Sequence, residues 1–415
     1  MADTVTGTIT TGAGAYTVAF TPDGAKAYVT NFTANTVSVI DTATQTETAE
    51  LAVGTRPTGV DVTPDGTRAY VLSQSSKTIT VIDTATDTIV TTITSVPSNP
   101  QNIEISPDGT RAYIATLGSA IEVLDLATNT LGAPIALPFG AYDVTFTPDG
   151  TKAYAALYTS SRVSVIDVAS ASVTATFALG NSPLRLAASP DGSTIFVANN
   201  NGTTLSVIST ATNAVSGITD SRFSGAVDVA VSPDGTKAYV LQFSASRVTV
   251  VDLATMSVTD DLAVVTHPTG VEFSPDGTTA YVTGQTAGAV SVISVDSVPV
   301  VASPPAASGG IGSAYSFRVV STGNPAPTFA VTAGALPAGL SLDSATGVIS
   351  GTPTSAGSFT FSVTATNANG NDVQAFTLVV AGAELAATGV DPILLLVAGS
   401  VILLLGAVLL LRRTA

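Results

Sequence analysis

The sequence predicts an all-β protein: a seven-bladed β-propeller, then a smaller strand-rich module, then a C-terminal hydrophobic helix. Three observations predict it. Pro-Asp-Gly, always preceded by Ser or Thr, recurs with its proline at Pro22, Pro64, Pro107, Pro148, Pro190, Pro233 and Pro275, a period of 41 to 43 residues. Thr, Val and Ala are abundant, and β-branched side chains sit well on a pleated surface. The chain closes with a 20-residue apolar run, Pro392 to Leu411, about the length that crosses a bilayer as a helix.

Each repeat has the same internal order. In the second, GVDVTPDGTRAYVLSQSSKTITVIDTATDTIVTTI, four short alternating runs are separated by turn residues, the pattern of four antiparallel strands. Proline presets φ at the second turn position and glycine accepts a positive φ, so Pro-Asp-Gly makes the bend between strands one and two. Strand two carries an aromatic at one place throughout: Tyr28, Tyr70, Tyr113, Tyr154, Phe196, Tyr239 and Tyr281. Strand three ends in Asp41, Asp83, Asp125, Asp167, Ser209, Asp252 or Ser294, which are expected to cap the next turn through its backbone N–H groups. A four-stranded unit of this length, repeated radially, is a propeller blade. The recurrent aromatics and aspartates are assigned to architecture, because a residue serving one ligand has no reason to recur in every blade.

The seventh repeat supplies three strands and then runs into proline-rich sequence. The missing fourth is expected from the N-terminus, since DTVTGTITTG (residues 3–12) matches the fourth-strand pattern of TDTIVTTITS (86–95). That would close the ring without an open edge and place the propeller at residues 1–298. The stretches AYVTN (27–31) and SVIDTAT (38–44), with the recurrent Pro-Asp-Gly, resemble the YVTN-type β-propeller repeat of bacterial and archaeal surface proteins. The name-giving motif is complete only in the first blade; the second reads YVLS and the fifth FVAN.

Residues 299–310, rich in Pro, Ser and Gly, are expected to be a linker. Beyond them, strand-like runs are broken by LPAGL (336–340) and SGTPT (350–354), which resemble the putative-Ig modules of bacterial surface proteins. The resemblance implies an Ig-like β-sandwich over residues 311–382, of a kind that serves more often as a spacer than as a binder. The stretch has no lysine, which excludes an internal Lys–Asn isopeptide crosslink.

Residues 383–415 bear on location. The pentapeptide Leu385, Ala386, Ala387, Thr388, Gly389 precedes the apolar run 392–411, and Arg412 and Arg413 follow it as a basic stop. Pentapeptide, span and basic end, in that order, resemble the sortase sorting signal of Gram-positive surface proteins, in the LAXTG variant typical of actinobacteria. The resemblance implies a membrane-held precursor from which a sortase cysteine, attacking the Thr388 carbonyl, transfers the chain to a peptidoglycan amine. A plain membrane tail anchor is the alternative. Residues 1–20 have no basic n-region and no apolar h-region, so no secretory signal peptide is read there; an upstream start or prior removal is expected.

Composition excludes several functions. The formal charge is −16 with only 14 Lys and Arg, which argues against nucleic acid as a partner. Cysteine is absent and His267 is the single histidine, so thiol and zinc chemistry have almost nothing to use, and neither a metal nor a cofactor is expected. On the innermost strands, ahead of the Pro-Asp-Gly turns, apolar residues alternate with Asp61, Glu104, Asp143, Arg185, Asp228 and Glu272. If these turn inward, they line the central channel, as a solvated wall or as a site for a cation or basic peptide.

On the face opposite the Pro-Asp-Gly turns, the blade-specific Arg56, Arg162, Arg222, Arg247 and His267 are the candidate ligand-binding cluster. Variable loops without a ligand would look the same. Two functional classes follow. One is a wall-anchored, extracellular binding or adhesion module with a macromolecular ligand. The other is a surface enzyme of the propeller lactonase or lyase type, disfavoured by the single histidine and the lack of any catalytic motif.

Overall fold

The computed structural model describes residues 2–382 apart from 98, 180 and 181. Among these residues there is no α-helix; two single 3-10 turns, Tyr158–Ser160 and Ser221–Phe223, interrupt an otherwise β chain. Contacts divide it into a first unit that ends at Ser297, with a short addition at 323–325, and a second that begins at Val298.

The first unit contains seven antiparallel sheets. Blades one to six occupy 15–52, 57–93, 100–136, 143–178, 183–219 and 226–263, with their four strands hydrogen-bonded in chain order. In blade three the outer strand is split into Thr130–Leu131 and Ile135–Ala136, because Gly132 and Pro134 break the ladder. Blade seven has Pro268–Phe273, Thr279–Gly284 and Ala289–Ser294 as its first three strands, and Thr4–Thr10 lies antiparallel to the third as its outer strand.

The first strands of successive blades, seventh and first included, pack side by side around a central axis. Their chains enter from one end, turn at Pro-Asp-Gly at the other, and so send every connection between strands two and three back to the entry face.

Seven separate apolar clusters form the core, one for each blade–blade contact. The cluster between blades one and two joins Tyr28, Val37 and Val39 to Val60, Val62 and Val71, and the one that completes the ring joins Tyr281, Val290 and Val292 to Val18, Phe20 and Val29. The recurrent aromatics are the largest fully buried side chains, which makes them the filling of these interfaces.

The Pro-Asp-Gly turns build a second ring. Their glycines sit at φ between +67° and +72°, where a side chain would be strained. A methyl group added at Gly109 would lie 3.3 Å from Pro64 of the preceding blade, and the same contact recurs at each junction, Gly24 meeting Pro275. Within each turn the Ser or Thr hydroxyl donates to the aspartate, as in Thr21 Oγ1 to Asp23 Oδ1 at 2.6 Å. The expected strand-three caps are present at Asp41, Asp83, Asp125, Asp167 and Asp252, each accepting the backbone N–H three residues on.

The second unit is a small β-sandwich. One sheet has the order Gly309–Gly310, Gly370–Ala381, Gly357–Asn367, Thr328–Gly334; the other is Tyr315–Arg318, Val348–Gly351, Leu340–Leu342. Phe361, Val363, Phe376 and Leu378 fill the space between them together with Tyr315, Phe329 and Ile349. The segment expected as a linker, 299–310, is instead largely built into this module. Ser297–Val301 pairs with Ser321–Asn324, Gly309–Gly310 runs parallel to Val380–Ala381, and Ser303 N donates to Gln374 Oε1. Its prolines are tolerated because these are edge positions, where a missing N–H breaks no ladder.

The expected sorting signal and C-terminal helix, 383–415, lie outside the described residues, as do Leu385 to Gly389, Arg412 and Arg413. Among the described residues no helix is long and apolar enough to cross a membrane.

Candidate functional site

The six polar residues of the inner strands do face one cavity of about 500 Å³ on the axis. They stand in two tiers. Asp61, Glu104 and Glu272 each oppose the blade aromatic (Tyr70, Tyr113, Tyr281), three residues ahead of their Pro-Asp-Gly proline. Asp143, Arg185 and Asp228 lie one pleat further in, opposing Ala156, Ala198 and Leu241, five residues ahead of theirs. The cavity is also lined by Pro233 and Pro275, so it opens on the Pro-Asp-Gly face. At the other end Tyr16 of blade one and Tyr142 of blade four meet across the axis, hydroxyl to hydroxyl at 3.2 Å. These two side chains span the axis at the end away from the Pro-Asp-Gly turns.

The inner tier is internally compensated. Arg185 Nη1 lies 3.4 Å from Asp143 Oδ1, with its guanidinium 5.9 Å from the Tyr142 ring centre. Burial opposes the Arg185 cation, but Asp143 and Asp228 outweigh it and hold its pKa above the ordinary value. Asp143 also accepts from Asn102 Nδ2 at 2.6 Å and from Leu186 N at 2.8 Å. Burial still pushes the Asp143 carboxyl up, and pushes Asp228 up to about 7 against the opposing pull of Arg185.

The outer tier has no such cation. Asp61 accepts the N–H groups of Val62 and Ile105, which only partly offset burial and leave it raised to about 6. Burial, then the neighbouring Asp61, Asp143 and Glu272 carboxylates, raises Glu104 well above the usual range, and burial with Asp228 and Asp61 lifts Glu272 to about 8. Among the described residues no group of three or more His, Asp or Glu is arranged to hold a metal ion.

The five residues of the expected ligand cluster all lie at the entry face, but they do not form one basic patch. Arg222 is held by Asp220 through two hydrogen bonds, 2.8 and 2.7 Å, and Arg247 by Asp261 at 3.0 Å. Arg56 and His267 occupy a repeated position, the left-handed residue just before the first-strand proline (φ 55° and 52°), whose carbonyls accept Gln74 N and Gln285 N. Their side chains lean on rings: Arg56 lies 5.3 Å over Phe32, and His267 stacks on Phe243 at 4.7 Å while its Nδ1 meets Thr286 Oγ1 at 2.6 Å. Arg162 is exposed at the start of its strand. Asp220 and Asp261 neutralise two of the four arginines, one from two residues away and one from the same blade.

Sequence reasoning missed what lies between these charges. Phe32 stacks on Tyr16 (5.4 Å, 27°), Tyr16 touches Tyr142, and Tyr142 packs at 5.9 Å on Tyr158. All four are half-buried, and the two ring pairs meet through the Tyr16 and Tyr142 hydroxyls, with Arg56 over Phe32 at one end. A signal was present: Tyr16 and Tyr142 hold the same place, six residues before a Pro-Asp-Gly proline, where other blades have Thr58, Gln101, Leu184, Val227 and Thr269.

Residues 5–130 match the family model described as YNCE-like beta-propeller, and residues 298–381 match the model described as Putative Ig domain. The chain carries both modules. Among solved structures, 1605 chains match. One of them, from Kuenenia stuttgartiensis hydrazine synthase, is 26% identical with a TM-score of 0.63, and the match covers 68% of this chain and 96% of that one. No curated protein matches. So wide a distribution of one architecture says little about chemistry. A propeller joined to an Ig-like module supports a binding or surface protein.

Proposed function

We propose that the chain is a cell-wall-anchored surface protein of a Gram-positive cell, and that the propeller is its binding module, borne on the Ig-like spacer. The ordered run of Leu385–Gly389, the apolar segment 392–411 and Arg412–Arg413 carries the anchoring part of the reading. The binding part is supported by the pairing of the two modules and by the aromatic row on the entry face.

In the wall-anchored form, Thr388 supplies the acyl group and peptidoglycan the amine, so the membrane segment is discarded. Thr388→Ala should move the protein from the muramidase-released wall fraction to the membrane or the medium. Equal release of wild type and variant would replace covalent anchoring by a simple membrane tail.

A further inference from the structure

We propose that the ligand of the entry face is a neutral, linear oligosaccharide, stacked along the row Phe32, Tyr16, Tyr142, Tyr158. The inference rests on the binding reading above and names its ligand. Two ring pairs, Phe32 with Tyr16 in blade one and Tyr142 with Tyr158 in blade four, meet through the Tyr16 and Tyr142 hydroxyls across the axis and make an elongated line of aromatic side chains. An elongated line suits a chain of repeated units better than a compact molecule, which needs a deep pocket.

The rings are half-buried, so each keeps surface for a partner while its position is held by its neighbours. Little side-chain entropy remains to be lost on binding. Three of the four are tyrosines, and an aromatic ring with a polar tip suits a ligand that has apolar C–H faces and hydroxyl edges.

Amides fill one flank. Gln101 occupies in blade three the place that Tyr16 and Tyr142 occupy in blades one and four. Its amide nitrogen donates to Asn99, and its oxygen accepts from Gln74. Gln101 is buried and its amide is committed to these partners, so it walls the flank and offers no group to the sugar. Charge is sparse here: Arg222 and Arg247 are paired off, and Arg56 spreads over the Phe32 ring. That leaves Arg162 as the exposed, unneutralised arginine of the cluster beyond Tyr158, too little for a polyanion to follow as a track.

The full chain, kept in solution by a mild detergent, is titrated with chitohexaose, cellohexaose and, as the competing stacked ligand, decaproline. Because the protein has no tryptophan, its emission comes from tyrosine, and stacking on the row should change it saturably. Phe32→Ala and Tyr158→Ala should each weaken hexasaccharide binding about tenfold, the order of one lost ring contact. Ser244→Ala on the same face should leave it unchanged, and unaltered thermal unfolding shows that the variants are intact. Failure of both sugars, sugar binding that ignores the two ring variants, or ring-dependent binding of decaproline alone would overturn the proposal. If the sugars fail while the chain still attaches to protein-coated surfaces through its entry face, the binding reading survives and only the ligand class falls.

Discussion

The recurrent blade tyrosine has a partner that lies in the next blade. Tyr28 donates to Asp87 (2.8 Å), Tyr70 to Asn129 (3.0 Å) and Tyr154 to Asn213 (3.4 Å), each acceptor sitting at positive φ in the turn before the outer strand. Where the aromatic is Phe196, which needs no acceptor, the corresponding residue is Met256. Tyr113 faces the position of Ala171, and its buried hydroxyl has no partner. In blade seven the N-terminal segment supplies the acceptor: Asp3 takes Tyr239 Oη at 2.7 Å, Lys237 Nζ at 2.6 Å and Asp296 N at 2.8 Å. Asp3→Ala strands a buried hydroxyl and should cost about 1 to 3 kcal/mol in chemical denaturation. Ala171→Asn gives Tyr113 an acceptor and puts a residue tolerant of positive φ at that turn, so it should stabilise by about 1 kcal/mol. Loss of stability in Ala171→Asn, measured the same way, would show that the turn cannot present the amide to the ring.

At the scale of the strand, the inner strands and the closing strand act in opposite directions. The channel carboxylates have folded pKa values above their unfolded ones, so their contribution is fully present below the unfolded carboxylate range and is lost as pH rises through about 6 to about 8. Aspartates of the Pro-Asp-Gly turns such as Asp23, Asp65 and Asp149 are held low, first by the hydroxyl two residues before and then by backbone N–H groups, and lose their contribution as pH falls below the usual carboxylate range. The melting temperature should therefore be highest at about pH 4 and fall towards pH 8.5. Glu272→Gln should flatten the alkaline fall, and a flat wild-type profile between pH 5 and 8.5 would show that the pit is not under charge strain. The closing strand Thr4–Thr10 covers the third strand of blade seven and brings Ile9 into the cluster with Val290. Deleting residues 1–12 removes that strand, the Asp3 contacts and part of the core together, so unfolding should shift by more than any single substitution does. A truncated chain that melts with the full one would contradict this.

For the whole molecule, the two faces of the propeller divide the charge. The Pro-Asp-Gly face surrounds the mouth of an acidic pit, whereas the entry face carries the aromatic row among paired arginines. Attachment through the entry face is tested with Arg56, Arg162, Arg222, Arg247 and His267 all replaced by alanine. Because two of these arginines are already paired with aspartates, the replacement should weaken attachment by less than tenfold, while Phe32→Ala with Tyr158→Ala should weaken it more. The reverse ranking would return the binding role to the charges.

The repeat period, the Pro-Asp-Gly turns and the buried aromatics were legible in the sequence, because each is enforced locally: a turn needs its φ, and each strand needs an apolar face. The match of residues 3–12 to an outer strand was also legible, since that pattern repeats. Spacing to the proline could have separated Asp61, Glu104 and Glu272 from Asp143, Arg185 and Asp228. That 299–310 belongs to the sandwich was not legible, since edge pairing leaves no mark on composition. Only the tertiary structure set Tyr16 against Tyr142 and Asp3 in the place of Asp87. The physical reason is the same where the partners are far apart in the chain: a closed ring brings blade one against blades four and seven, and no local preference of the chain encodes a distance across the axis.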